Sequence, residues 1–226
     1  GLKAAMSTLQ RLVRHPEFMR GVREMSSVAP GLAAWGLMTG VAMVKAGMSV
    51  PEALAMTLLV FAGSSQLAAI PLIAASAPVW VILATSFCVN LRFVVFSAHL
   101  RPYLMHLPRW PRLALGYLTA DLSYVLFTRR YPHPTEDAPQ RQAQLAYLAG
   151  GCAFNWVSWQ AASLIGIALA NVVPTHWGLG FAGILALVGV ACSLASTTMR
   201  RVSAGVAGAA AVAAFALPFK LNIVVA

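Results

Sequence analysis

Charged residues are scarce in this chain of 226 residues, and acidic ones are the scarcest. Only 10% of the residues are charged, with 6 Asp and Glu against 16 Lys and Arg, whereas about a quarter of a soluble domain is charged. So few charges cannot cover the surface of a water-soluble globule. Because 59% of the residues are hydrophobic, the composition predicts an integral membrane protein.

Residues for metal, redox or nucleotide chemistry are also missing or badly spaced. The three cysteines have neither metal-ligand nor disulfide spacing, and no two histidines have metal-ligand spacing within one helix. No HExxH, paired-aspartate or nucleotide-binding motif occurs. We therefore predict no cofactor, no metal site, no catalytic residue and no enzyme activity.

Two other functional classes are disfavoured by similar absences. An intramembrane serine hydrolase with Ser64 or Ser65 as nucleophile is an alternative, but it lacks a membrane-embedded histidine to act as base. Nucleic-acid binding needs a clustered, soluble basic face with aromatic residues, and the net charge of +10 is instead spread over loops and ends. We predict no nucleic-acid partner.

Long apolar segments are what the chain has in abundance. They predict an all-α integral membrane protein with a bundle of about six to seven transmembrane helices, each of roughly 20 residues. Residues 1–26 have the pattern of a basic amphipathic helical segment, broken at Pro16, that lies at the membrane interface. Residues 27–226 form a single predicted permease domain, with a polar hinge at 129–142 between two halves. The predicted spans are 28–46, 51–70, 79–98, 113–127, 145–170, 179–199 and 202–226.

A polar run, Gly63-Ser64-Ser65-Gln66, interrupts the second predicted span. Helix interiors disfavour glycine, and serine competes for backbone hydrogen bonds, so we predict a broken helix near residues 62–66. The first N–H groups of the new half-helix would carry partial positive charge and suit a carboxylate. The alternative is a small-residue packing face in which Gln66 bonds to a neighbouring helix.

Two further segments carry polar or charged groups at membrane depth. Arg92 follows Asn90 in the third span, where an arginine costs roughly 3 kcal/mol at the bilayer centre. Arg92 either pairs with Asp121, the one acid deep in a span, or binds a substrate carboxylate while Asp121 serves an ammonium group or a transported proton. Asn155 and Trp159 share a helix face and are further candidates, although interhelical bonding also explains Asn155. The predicted substrate site comprises Gly63, Ser64, Ser65, Gln66, Asn90 and Arg92.

The distribution of Lys and Arg leaves the topology open. Seven crossings with the N-terminus inside give a positive inner side, but they place Arg101, Arg109 and Arg112 outside. If residues 51–76 formed a re-entrant segment, these three arginines would lie inside, but the later arginines would then lie outside. The count favours seven crossings without deciding the matter.

Five short segments, in their order and spacing, resemble the AzlC family, the large subunit of branched-chain amino acid exporters of the LIV-E class. Departures from the family pattern are Phe93 after the NLR motif, Ala120-Asp121 in place of Asp-Glu, and Gly180 in place of Asp. Asp121 is therefore the one acid of its segment. The matching segments are Ala62–Gln66 (AGxxQ), Asn90–Arg92 (NLR), Leu118–Asp121 (LTDE), Trp177–Ala182 (GLDFA) and Leu217–Leu221.

The resemblance implies a multi-pass secondary transporter in the bacterial inner membrane. It would export branched-chain or similar small apolar amino acids, driven by an ion gradient, with protons as the expected ion. It also implies a small hydrophobic partner subunit of the AzlD type; self-association into a homo-oligomer is an alternative. A non-transporting membrane scaffold or regulatory subunit is the competing function.

Overall fold

The computed structural model describes residues 2–172 and 198–213, and every regular element in these ranges is helical. The predicted all-α fold is therefore confirmed for these residues. The predicted span 179–199 lies almost wholly outside them, as do most of span 202–226 and the segments Trp177–Ala182 and Leu217–Leu221. The helices are α1 (Leu2–Arg14), α2 (Pro16–Ser26), α3 (Ala29–Lys45), α4 (Val50–Ala55, continued by a π-helical turn, Met56–Val60), α5 (Gly63–Ala74), α6 (Val79–Leu104), α7 (Arg109–Leu118), α8 (Asp121–Arg130), α9 (Ala138–Leu169) and α10 (Thr198–Ala213).

The chain folds into two compact units. Unit one comprises residues 1–32 and 93–158, and unit two comprises residues 33–92 and 159–226. The long helices α6 and α9 each contribute one part to each unit. The predicted single domain with a hinge at 129–142 stays a prediction; in the structure, the non-helical connection between α8 and α9 is residues 131–137.

Within the described residues, α6 and α9 are the two helices long and apolar enough to cross a membrane. A third span results if α2 and α3, which meet at a bend of 67°, are counted as one. The predicted count of six to seven spans is not confirmed. The difference arises partly because the second and fourth predicted spans are each broken into two short helices.

In unit two, α4 and α5 form a helical hairpin. Ala53 of α4 and Ile70 of α5 belong to one buried cluster with Ile167 of α9, so both legs of the hairpin pass this level of α9. Near the tip, Thr57 bonds Gln160. Gln160 precedes Ile167 on α9 by about 10 Å, at a rise of 1.5 Å per residue. The chain therefore advances along α9 and then turns back.

The α3–α9 contact of unit two depends on three glycines. A Cβ atom on Gly36 would lie 3.0 Å from the Ala162 methyl group, and one on Gly40 or Gly166 would overlap backbone atoms of the facing helix. Small residues let the two backbones approach closely, as is common in membrane helices. This contact holds α9 beside the hairpin.

In unit one, α7 and α8 form a second hairpin. The Tyr103 hydroxyl at the end of α6 donates to the carbonyl oxygen of Tyr131 (2.7 Å), so the chain returns after α8 to the end from which α7 departed. Its tip contains Thr119, whose Oγ1 lies 3.9 Å from Cys152 Sγ on α9. The sequence predicts one span across 113–127, and the structure shows instead a break at Thr119 and Ala120.

The N-terminal segment folds as two helices, with the break beside Pro16 as predicted. His15 separates them; its Nδ1 accepts from the Glu17 N–H (3.1 Å), with Pro16 in the first turn of α2. Glu17 accepts from the Arg130 guanidinium (3.1 Å) and the Tyr131 hydroxyl (2.6 Å), which ties α2 to the end of α8. The predicted amphipathic helical segment is thus present, and its position at a membrane interface stays a prediction.

Candidate functional site at the tip of the α4–α5 hairpin

The helix break lies at Phe61 and Ala62, immediately before the predicted polar run. Phe61 adopts the left-handed conformation (φ 41°, ψ 49°) and Ala62 has φ −142° and ψ 84°. A left-handed non-glycine residue costs roughly 1–2 kcal/mol, so the surrounding contacts must hold the break. Backbone strain of this kind is often found at functional sites.

Gly63, Ser64 and Ser65 form the first turn of α5. The first intrahelical bond runs from the Gln66 N–H to the Ala62 carbonyl (2.8 Å), and no side chain of the described residues caps the turn. The N–H groups of these three residues therefore have no intrahelical acceptor and give the tip a partial positive charge. Both serines are buried.

Arg92 of α6 brings a full positive charge to the same turn. Its Nη2 donates to Ser64 Oγ, and its Nη1 donates to the Val89 carbonyl at 3.3 Å. Because the guanidinium donates to Ser64 Oγ, the serine hydroxyl hydrogen remains available as a donor. The structure thus brings together Arg92 and the start of α5, and their shared role in binding a substrate stays a prediction.

Gln66 is fully buried and points back to the break. Its Oε1 accepts from the Ala62 N–H (3.3 Å) and its Nε2 lies 3.6 Å from Met43 Sδ on α3. These contacts bind Gln66 to the hairpin and to α3. They agree with the packing alternative for this residue, while the helix break agrees with the functional one.

A two-bond clamp fixes the other side of the break. Gln160 Nε2 donates to the Thr57 carbonyl (2.8 Å), and Thr57 Oγ1 donates to Gln160 Oε1 (3.0 Å). Thr57 lies in the π-helical turn, which shifts the regular bond pattern and leaves carbonyls in need of donors. Gln160 therefore joins α9 to the π-helical turn. Thr57 was missed because an isolated threonine in an apolar run carries no signal.

Two tryptophans border the tip. The Trp159 ring occupies the position where a Cβ atom on Gly63 would lie, and it packs edge to face on Trp35 with ring centroids 5.2 Å apart. Both indoles are buried, and neither Nε1 has a hydrogen-bond partner within the described residues. An unsatisfied buried donor costs roughly 1–3 kcal/mol, so the two tryptophans add N–H groups in need of an acceptor.

The tip is rich in hydrogen-bond donors and poor in acid. Residues 33–92 and 159–226 contain a single acidic residue, Glu52. Glu52 lies in the first turn of α4, where it forms a capping box with Ser49. The arrangement suits an anionic group more than a cation.

Asn90 lies on α6 two residues before Arg92 and is half-buried. Its Oδ1 is buried and has no hydrogen-bond partner within the described residues. A buried amide oxygen of this kind is an acceptor for an N–H or O–H donor. Asn90 thus complements the donors of the tip, and its role in binding stays a prediction.

Asp121 and Asn155 belong to unit one. Asp121 is buried at the first position of α8. Asn155 is buried on α9, and the Oδ1 atom of Asn155 has no hydrogen-bond partner within the described ranges. Their roles in coupling and binding also stay predictions. One feature of unit one was missed: His99, one residue beyond the predicted span 79–98, lies in α6 and bonds the Tyr124 hydroxyl (2.6 Å).

The family assignment rests on the segment that contains both hairpins. The sequence model of the AzlC protein family matches residues 27–173, more than half of the 226 residues. The chain belongs to the AzlC family. No curated protein and no solved structure matches it. AzlC membership together with the apolar helices identifies a membrane protein related to transport rather than to catalysis.

Proposed function

We propose that this AzlC protein is a subunit of a secondary active transporter that exports branched-chain or similar small apolar amino acids across the bacterial inner membrane. Family membership supports the transport role. The observation that carries the substrate class is the contact between Arg92 and Ser64 at the first turn of α5.

The substrate carboxylate binds at the tip of the α4–α5 hairpin in this proposal. It accepts hydrogen bonds from the N–H groups of Gly63 to Ser65, from the serine hydroxyls and from Arg92. A helix N-terminus and a guanidinium both favour negative charge. Broken helices whose half-helix N-termini meet an anionic substrate are a recurrent arrangement in secondary transporters.

The apolar side chain of the substrate packs on the aromatic side of the tip. Trp159 covers Gly63 and rests on Trp35, and Met43 lies beside Gln66. These side chains offer large apolar surfaces directly next to the donor-rich turn. A small aliphatic amino acid matches both halves of this surface.

Coupling to protons is assigned to Asp121, the buried acid at the start of α8. We also propose a small hydrophobic AzlD-type partner subunit. The exposed side of α6 presents large apolar residues that either lipid or such a subunit would cover. These residues are Trp80, Leu83, Phe87, Leu91 and Val94.

Reconstituted counterflow tests the proposal. The chain is placed in liposomes loaded with unlabelled leucine, with and without a co-expressed small subunit, and the entry of labelled leucine or valine is followed. We expect exchange that unlabelled branched-chain amino acids compete with and that an amine lacking the carboxylate does not. No exchange under either condition would favour the scaffold or regulatory role.

A further inference from the structure

Helix α1 has an apolar face that is exposed in the described part of the protein. Ala5 and Leu12 are buried, while Met6, Leu9 and Val13 are exposed, each by 40% or more of its surface. Spacings of three and four residues place these three on one face. The basic residues of α1, which are Lys3, Arg11 and Arg14, are also exposed.

Helix α7 repeats this pattern. Pro111 and Leu115 are buried, whereas Trp110, Leu113 and Tyr117 lie three and four residues apart with exposures of 43% or more. Arg109 is exposed and Arg112 half-buried. Trp and Tyr with an apolar body and a polar edge favour the level of lipid headgroups.

The two helices contact each other within unit one. Neither contains an acidic residue, and within the described residues none of their basic side chains forms an ion pair. In the same unit, Arg20 and Arg130 pair with Glu17 and Glu24 instead. Together α1 and α7 present two apolar faces with only positive charge beside them.

We propose that α1 and α7 form one platform that binds the anionic headgroups of a bilayer. A solvated surface would not need the exposed Met, Leu, Val and Trp side chains, and a soluble acidic partner would not match them. Amphipathic helices of this composition insert their apolar faces below the headgroups and set their basic residues against lipid phosphate.

The contact between α1 and α7 also bears on topology. Helices that share one platform lie on one face of the membrane, so Arg109 and Arg112 lie on the same side as the N-terminus. The hairpin of α4 and α5 agrees with this placement if it enters and leaves the membrane on one face. An excess of Lys and Arg marks the cytoplasmic side, which we therefore assign to the platform.

Lipid retention tests the platform on the full chain. The purified protein is mixed with micelles containing equal amounts of phosphatidylglycerol and phosphatidylcholine, and bound lipids are counted by native mass spectrometry. Three double variants are compared: Arg11→Gln/Arg14→Gln, Arg109→Gln/Arg112→Gln, and the control Lys45→Gln/Arg129→Gln, which removes two exposed charges outside residues 1–26 and outside α7.

We expect the wild type to prefer phosphatidylglycerol and each platform variant to lose roughly thirtyfold of that preference, since two basic residues near an anionic surface together contribute about 2 kcal/mol. The control should retain the preference. Equal retention in wild type and platform variants, or equal loss in the control, would overturn the proposal. If the α7 variant fails to fold, the α1 variant decides, because both of its positions are exposed.

Cysteine labelling tests the shared face. Ser7→Cys and His106→Cys, both at exposed positions, are introduced separately into a cysteine-free chain. A membrane-impermeant maleimide should label both in inside-out vesicles and neither in intact cells. Labelling of the two positions from opposite sides would contradict the platform.

Discussion

The two hairpins share a backbone plan but differ in their electrostatics. In the α4–α5 hairpin, the first turn of the second helix has no acid and receives the guanidinium of Arg92. In the α7–α8 hairpin, the second helix begins with Asp121, and the Ser123 hydroxyl accepts from the Ala120 N–H (3.0 Å). The positive end of the α8 dipole is thus compensated by residues of α8 itself. The positive end of the α5 dipole has no acid beside it in its own first turn.

The same contrast extends to the units that contain the hairpins. Five of the six acidic residues lie in unit one and only Glu52 lies in unit two. Both units use close glycine contacts, such as Gly21 and Gly150 in unit one. Unit one adds charged contacts such as Glu17 with Arg130, whereas unit two adds the uncharged clamp of Thr57 and Gln160. A break in a helix therefore does not by itself define a substrate site; the charge at its N-terminus decides what it can bind.

Removing Arg92 should have the largest effect. Arg92→Ala is expected to abolish counterflow while membrane insertion stays intact. Arg92→Lys should retain part of the counterflow, because the positive charge remains although the planar guanidinium group is lost. Transport assays and size-exclusion profiles measure the two properties, with Lys45→Ala as a control for loss of a positive charge. Persistent transport by Arg92→Ala would place the ionic site elsewhere.

Asp121→Asn should separate exchange from coupling. The amide keeps the shape of the side chain but cannot carry a proton, so we expect counterflow to persist while proton-driven accumulation of leucine and its pH dependence are lost. Glu136→Gln, which removes an exposed acid of the same unit, should behave as wild type. Unchanged gradient-driven transport by the Asp121 variant across a pH series would remove this residue from coupling.

Gly63→Ala should destabilise the protein by roughly 1–3 kcal/mol, because the new methyl group overlaps the Trp159 ring. Gly116→Ala in the other hairpin is the matched control, since nothing lies within 4 Å of its Cβ position. That change should be neutral or stabilising. Thermal unfolding in detergent compares the variants, and Trp159→Leu should partly rescue Gly63→Ala; an equal response of both glycines would contradict the proposed packing.

The clamp at the π-helical turn should show coupling of about 1 kcal/mol in a double-mutant cycle. Thr57→Val and Gln160→Leu each leave a buried partner without its bond, so each is destabilising alone. The double variant should cost less than the sum of the two. Strictly additive unfolding free energies would mean that the two side chains do not act together.

The smallest expected effect is a pH dependence in unit one. A hydrogen bond from the Tyr147 hydroxyl lowers the pKa of Glu24 despite its partial desolvation. The folded protein therefore binds fewer protons than the unfolded chain, so this contribution is present above the unfolded pKa and is lost as the pH falls through the lowered pKa. Tyr147→Phe should reduce the fall in melting temperature at acidic pH. An unaltered dependence of melting temperature on pH would contradict the assignment.

The sequence by itself determined the chemistry of the candidate site. The scarcity of charge required a membrane protein, and Gly63 with two serines predicted a helix break that the structure places at Phe61 and Ala62. Arg92 was identified because an arginine in an apolar segment needs a partner or a function. These conclusions follow from local composition and from helix propensities.

The tertiary structure decided the path of the chain. Whether a broken helix continues across the bilayer or turns back depends on contacts between residues distant in sequence, such as Thr57 with Gln160 and Tyr103 with Tyr131. Hydropathy is the same for both paths, so the predicted spans two and four could not be distinguished from hairpins. The placement of Trp159 on Gly63 and of Arg92 on Ser64 likewise arises only when separate helices pack together.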